Sequence, residues 1–242
     1  MRQMQKRTLE TRARLVAVAT ALVAENGYGA LRTEEVVQGA GVAKGTFFAH
    51  FKDKDALMDL LIGTGIDQHL DQLAKAPAPR TVEELVALQQ PLLRYMTQER
   101  YVFDVILRLS GAAAVAEIGT IATTFGRYLE LTTRWFEAGQ FRQDISAELQ
   151  AEGMQGFVTQ AMALYFCALH EDQSMEARLV VYLRAWLCPR GGSDRGLTLP
   201  RPRYRLVGAS GNSVAASPSC HWGYLCMIAS NLLLLIKRSS QA

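Results

Sequence analysis

TEEVVQGAGVAKGTFFAHF, residues 33–51, reads as two short helices around a tight turn. Thr33 stands where an N-cap is wanted, and Glu34 and Glu35 follow it at the positive end of the helix dipole. Gly39 and Gly41 bracket Ala40 and stop that helix early. Ala40-Gly41-Val42 makes the turn, where glycine supplies a backbone angle that a side chain resists. A second helix runs over 44–51. Val36, Val37, Val42, Phe47 and Phe51 give both arms an apolar side to rest on. This is the size and make-up of a helix-turn-helix unit, whose second arm fits the width of a DNA major groove. Thr33, Lys44, Thr46, His50 and Lys54 bring donors suited to phosphate oxygens.

Outward from this unit the helical pattern continues in both directions. Leu15, Val16, Ala19, Leu22 and Val23 share one face of a helix over 8–26, and Gly27 is placed to end it. Asp53 is set to cap a fourth helix over about 54–74, with Leu57, Leu60, Leu61 and Leu70 on its buried side. Pro77 and Pro79 break the chain. Helical periodicity then resumes over 82–98, with a kink expected at Pro91, and over 101–109, 112–139, 147–169 and 174–187. No run of alternating β-branched residues occurs, so the fold class is all-α: a three-helix helix-turn-helix domain (1–53) joined to a helical body (54–188). After residue 188 the character changes. Residues 189–242 hold four of the seven prolines, six glycines and eight serines, and read as a low-order tail. Its uncharged stretch 222–236 is shorter than the roughly 18–20 residues that a membrane-spanning helix needs.

The 242 residues suffice to bury a core without staples, and 49% hydrophobic with 20% charged residues excludes a disordered chain. The net charge of +3 divides into +3 over 1–55, −6 over 56–188 and +6 over 189–242. A basic head on an acidic body suits a chain that meets a polyanion at one end only. The four cysteines form no CxxC pair and read as reduced thiols; no metal site is expected. No secretion signal is visible at the N-terminus, so a cytoplasmic location is expected. There is no HExxH, no GxSxG and no phosphate loop, the four histidines are scattered, and neither catalysis nor a cofactor is expected.

Residues 27–58, GYGALRTEEVVQGAGVAKGTFFAHFKDKDALM, resemble the DNA-binding segment of TetR-family transcriptional regulators. The likeness rests on Gly27-Tyr28, Thr33, Ala40-Gly41-Val42, Lys44-Gly45-Thr46, Phe47, His50-Phe51, Lys54 and Leu57. It implies an all-helical homodimer that represses transcription from a palindromic operator and is released by a small molecule bound in the body. It implies roles as well. Thr33, His50 and Lys54 would hold phosphates, and Lys44, Gly45 and Thr46 would open the recognition helix. Phe48 stands where the family often has Tyr, and Ala43 where it often has Ser. Base-edge hydrogen bonders are therefore few. Contact of Phe48 or Ala49 with thymine methyls, DNA shape and the basic arm Arg2, Lys6 and Arg7 would share the reading.

In the body, Tyr95, Met96, Phe103, Phe125, Trp135, Phe136, Met154, Phe157, Met162, Tyr165 and Phe166 are large adaptable residues suited to line a pocket for an apolar or aromatic effector, with Tyr95, Met96, Phe103, Trp135, Met154, Phe157, Met162 and Tyr165 the leading candidates. Arg94, Gln160 and His170 are candidate polar groups. Leu149, Phe157, Ala161, Val180, Leu183 and Leu187 are candidates for a dimer surface. Two rival readings remain at this point: a regulator tethered to a membrane through 222–236, and a protein-binding module that keeps the fold without specific DNA binding.

Overall fold

The computed structural model describes residues 2–110, 118–167 and 173–188. Nine helices occur among them: α1 (Arg2–Asn26), α2 (Thr33–Gly39), α3 (Lys44–His50), α4 (Lys54–Leu73), α5 (Val82–Met96), α6 (Arg100–Leu109), α7 (Thr120–Glu137), α8 (Ala147–Tyr165) and α9 (Met175–Leu187). No strand is present among the described residues, and no described helix is long and apolar enough to cross a membrane. The tail over 189–242, with its apolar stretch, lies outside the described residues.

Local signals set the helix ends. Gly27 closes α1 at φ +83°, its N–H donating to Val23 O at 2.8 Å. Gly41 turns the chain between α2 and α3 at φ +61°. The Asp53 carboxylate accepts the Ala56 N–H at 2.8 Å and starts α4. Thr81 and Ser146 start α5 and α8 in the same way. Thr33 differs from expectation. It is the first residue of α2, not its cap; Arg32 holds the cap position with extended backbone and no side-chain bond. The buried Leu31 fixes the entry of the chain, and Glu34 and Glu35 answer the helix dipole instead. Helix α1 begins earlier than the apolar stripe suggests, because polar residues propagate an established helix without a core to face. Helix α5 continues through Pro91.

Leu15 and Ala19 of α1, Val36 of α2 and Phe47 of α3 are fully enclosed and make the core of the first three helices. Helix α4 links this core to the body. Leu57, Met58, Ile62, Ile66 and Leu70 are buried along it, while Leu60 is only half-buried. Its most extensive partner is α7, which packs in turn on α8. Asp59 of α4 accepts the N–H groups of Thr120 and Ile121 at 2.6 and 3.1 Å, so a carboxylate from α4 caps α7. Arg127 of α7 reaches back to Asp67 at 3.0 Å and to Asp71. Gly63 lets the two helices approach, since a Cβ there would meet Thr120 at 2.6 Å. Gly153 does the same for α8 and α9, where Trp186 covers it and donates to Gln150 O at 3.1 Å.

Three tyrosines, Tyr28 of the head and Tyr95 and Tyr128 of the body, are held protonated. Burial raises the hydroxyls of Tyr95 and Tyr128 far above their usual range and raises that of Tyr28 to a lesser degree. The unfolded chain releases these protons near pH 10 and the folded chain does not. Their contribution to stability is therefore complete below about pH 10 and is lost as the pH climbs toward the folded values. Thermal midpoints measured from about pH 9 to about pH 12 are expected to fall, and Tyr95→Phe or Tyr128→Phe should flatten the slope whatever it does to the midpoint at neutral pH. Equal slopes in all three chains would refute the assignment.

Candidate nucleic-acid interface and effector crevice

Helix α3 is divided lengthwise. Phe47 is fully buried, and the ring of Phe51, just beyond the helix, lies 5.5 Å from it and under the Arg12 guanidinium at 4.4 Å. Lys44, Gly45, Phe48 and Ala49 face out, and Phe48 is 50% exposed despite being aromatic. The exposed ring sits beside Lys44 and Gly45 and gives this face one large apolar side chain. Gly45 lies open as well. A Cβ at that position would touch nothing within 4 Å, so the packing does not call for glycine.

The remaining candidates surround this face. Thr33, Thr46 and His50 are half-buried, and none makes a side-chain hydrogen bond to a described residue. Lys54 lies half-buried, its ammonium 5.2 Å over the Tyr101 ring of the body. Lys44 is not free: its ammonium donates to the Glu34 carboxylate at 2.7 Å, and that bond holds the carboxyl below its ordinary range. This partner was hidden in the sequence, because the two lie ten residues apart on different helices. Arg32 and Lys52 add exposed positive charge at the two ends of the unit. Lys6 is exposed and pairs with Glu10; the side chain of Arg2 lies outside what is described. Glu34→Gln should tighten DNA binding about two- to fivefold at low salt, with the gain shrinking as salt rises. Anisotropy titrations of labelled duplex check this; an unaltered affinity would mean that Lys44 does not touch the duplex.

The loop that delivers α2 and α3 is tied to the body. The Glu99 carboxylate, at the cap of α6, accepts the N–H groups of Tyr28 and Gly29 at 2.8 and 3.0 Å. Tyr28 Oη meets Tyr95 Oη at 2.7 Å, and the Tyr95 ring stacks on His69 of α4 at 4.9 Å.

In the body a narrow crevice opens between four helices. Ile66 of α4 and Leu92 and Met96 of α5 form one side. Thr124, Phe125 and Tyr128 of α7 form another, and Gln155, Val158, Thr159 and Met162 of α8 complete it. The walls stand close together and leave about 20 Å³, enough for one water-sized group. Of the pocket candidates named from sequence, the crevice brings together Met96, Phe125 and Met162. The others serve elsewhere. Tyr95 joins the Tyr28 link. Phe103 is enclosed and stacks on Phe166 at 5.5 Å. Trp135 is buried in α7, and Met154 meets the Gln89 amide. Phe157 packs on Tyr182 and Trp186 of α9, and Tyr165 is 57% exposed. Arg94 and Gln160 do not line the crevice, and His170 lies outside the described residues. The sequence reading missed Thr124, Gln155 and Thr159, which look like ordinary polar residues of amphipathic helices. It also missed the buried pair in which Tyr128 donates to the Gln89 carbonyl oxygen. Among the dimer candidates, Ala161, Leu183 and Leu187 point into the protomer, their room taken by α5, α8 and α9 packing together, whereas Leu149, Phe157 and Val180 are half-exposed.

A seated helix-turn-helix with an outward recognition face, carried by α4 on a helical body, defines a DNA-binding transcriptional regulator. Residues 15–61 match the family model of bacterial regulatory proteins of the tetR family. The chain is 21% identical over 157 residues to the fatty acid metabolism regulator protein of Bacillus subtilis, covering 62% of this chain and 81% of that one. Thermus thermophilus FadR, a TetR-family transcriptional repressor solved with lauroyl-CoA, shares the fold with a TM-score of 0.55 at 18% identity, covering 72% of this chain and 92% of that one. RolR, solved with resorcinol, shares it with a TM-score of 0.54 at 21% identity, covering 75% and 90%.

Proposed function

We propose that the chain is a repressor that holds a palindromic operator as a homodimer in the cytoplasm and lets go when a small apolar or aromatic effector enters the crevice. The observation that carries this reading is the exposed side of α3, with Lys44, Gly45 and Phe48 facing out above a buried Phe47. Residues 1–53 are the DNA-reading head. Thr33, His50 and Lys54 hold phosphates, while Lys44, Gly45, Thr46 and Phe48 enter the groove. Residues 54–188 are the sensing and pairing body. Half-exposed Leu149, Phe157, Val180 and Tyr182 on α8 and α9 supply the pairing surface. Two copies double the buried area and match a two-fold site.

The crevice supports the sensing role. It is apolar with a few polar groups, and two of its walls are adaptable methionines, Met96 and Met162. A ligand that widens it displaces α7 against α8, and Asp59 and Arg127 bind α7 to α4, the helix that carries the head. The test is a gel shift with DNA flanking the chain's own coding region, at about 50 and about 200 mM salt. Specific retardation that weakens with salt supports the reading; retardation of any duplex alike overturns it. Lys44→Ala combined with His50→Ala should weaken binding at least about tenfold with circular dichroism unchanged.

A further inference from the structure

We infer that the crevice is built for an uncharged ligand that carries a hydrogen-bond donor on an apolar body, and that the side chain of Gln155 receives that donor. This rests on the sensing role proposed above and names the chemistry of what is sensed.

The hydroxyls that line the crevice have already committed their protons. Thr124 donates to Ile121 O at 2.7 Å, Thr159 donates to Gln155 O at 3.0 Å, and Tyr128 donates to the Gln89 carbonyl oxygen. Each offers lone pairs and no proton. Gln155 goes further: its side-chain carbonyl oxygen is shut off from solvent and has no partner. A buried acceptor left unpaired is costly, and a ligand that brings a donor removes the cost. No charged side chain lines the crevice among the described residues. A carboxylate or phosphate would enter an apolar slot without a counter-charge, which is prohibitive. The width limits size. As it stands the crevice leaves about 20 Å³, room for one water-sized group against the roughly 150 Å³ of apolar cavity that takes up benzene, so an apolar body enters only by parting the walls at Met96 and Met162.

The experiment is calorimetric titration of the full chain with three probes of similar shape: 4-propylphenol, its methyl ether and 4-propylbenzoate. The phenol should bind at least about tenfold more tightly than the ether, and the benzoate should not bind measurably. Gln155→Leu should bind phenol and ether alike, with its melting temperature recorded to show that it folds. Turning the Gln155 amide over would exchange acceptor for donor, and the ether comparison on the unaltered chain reads that directly. Phenol and ether binding equally to the unaltered chain overturns the inference. So does preferred binding of the benzoate or of lauroyl-CoA, or heat from none of the probes. Operator binding measured separately tells this failure from failure of the regulator reading, since the titrations contain no DNA.

Discussion

Phe47→Ala is expected to abolish operator binding and to destabilise the chain by about 3–5 kcal/mol. The ring is fully enclosed and contacts Phe51 and Phe48 at centroid distances of 5.5 and 5.4 Å. It is the main apolar anchor of α3, a helix of seven residues that is too short to hold its shape alone. Without the ring the recognition face loses its seat, while α4 to α9 keep their own core. Such a loss is a large share of the roughly 5–15 kcal/mol that holds a domain together. Urea unfolding gives the stability, and a gel shift gives the affinity. Phe47→Leu retains most of the volume and should cost less than about 1.5 kcal/mol. An alanine variant that still binds the operator normally would show that α3 is positioned by something other than this anchor.

The same helix shows what a sequence discloses. Gly27, Gly41 and Asp53 announce their helix ends because each acts within four residues of itself. The inward set Phe47 and Phe51 and the outward set Lys44, Phe48 and Ala49 follow from helical spacing alone. Contacts between distant segments are another matter. Tyr28 and Tyr95 are 67 residues apart, and Glu99 lies 71 residues from the N–H it accepts. The pocket suffered most. Aromatic residues suggest a lining, yet Phe103 and Trp135 spend their area on the core, and the crevice is walled partly by threonines and a glutamine. Composition cannot separate a side chain that fills space from one that borders it. Thr33 shows the same limit on a smaller scale: the residue type favours a cap, and the neighbouring Leu31 decides the register.

Gly65→Ala carries the second large expectation. A Cβ there would lie 2.0 Å from Tyr95 Oη and 2.3 Å from Cζ, so the phenol ring must leave its place on α4. Its hydrogen bond to Tyr28 goes with it, as does the stack on His69. Overpacking of this kind costs about 1–3 kcal/mol, offset by up to about 1 kcal/mol from the better helix propensity of alanine. The expected result is a melting temperature lower by about 3–6 °C and weaker operator binding, because the loop that delivers α2 has lost one of its two fastenings. Adding Tyr95→Leu should relieve the clash and recover most of the melting temperature but not the affinity. Full recovery of both would show that the tyrosine pair does not steady the head.

The fastening of α7 to α4 through Asp59 and Arg127 occupies positions apart from Thr124 and Phe125, which border the crevice. In the function proposed above, detection and transmission therefore fall on separate residues of α4 and α7. A biosensor engineer could rewrite the first without erasing the second, and retune what this switch responds to while its gearing stays intact.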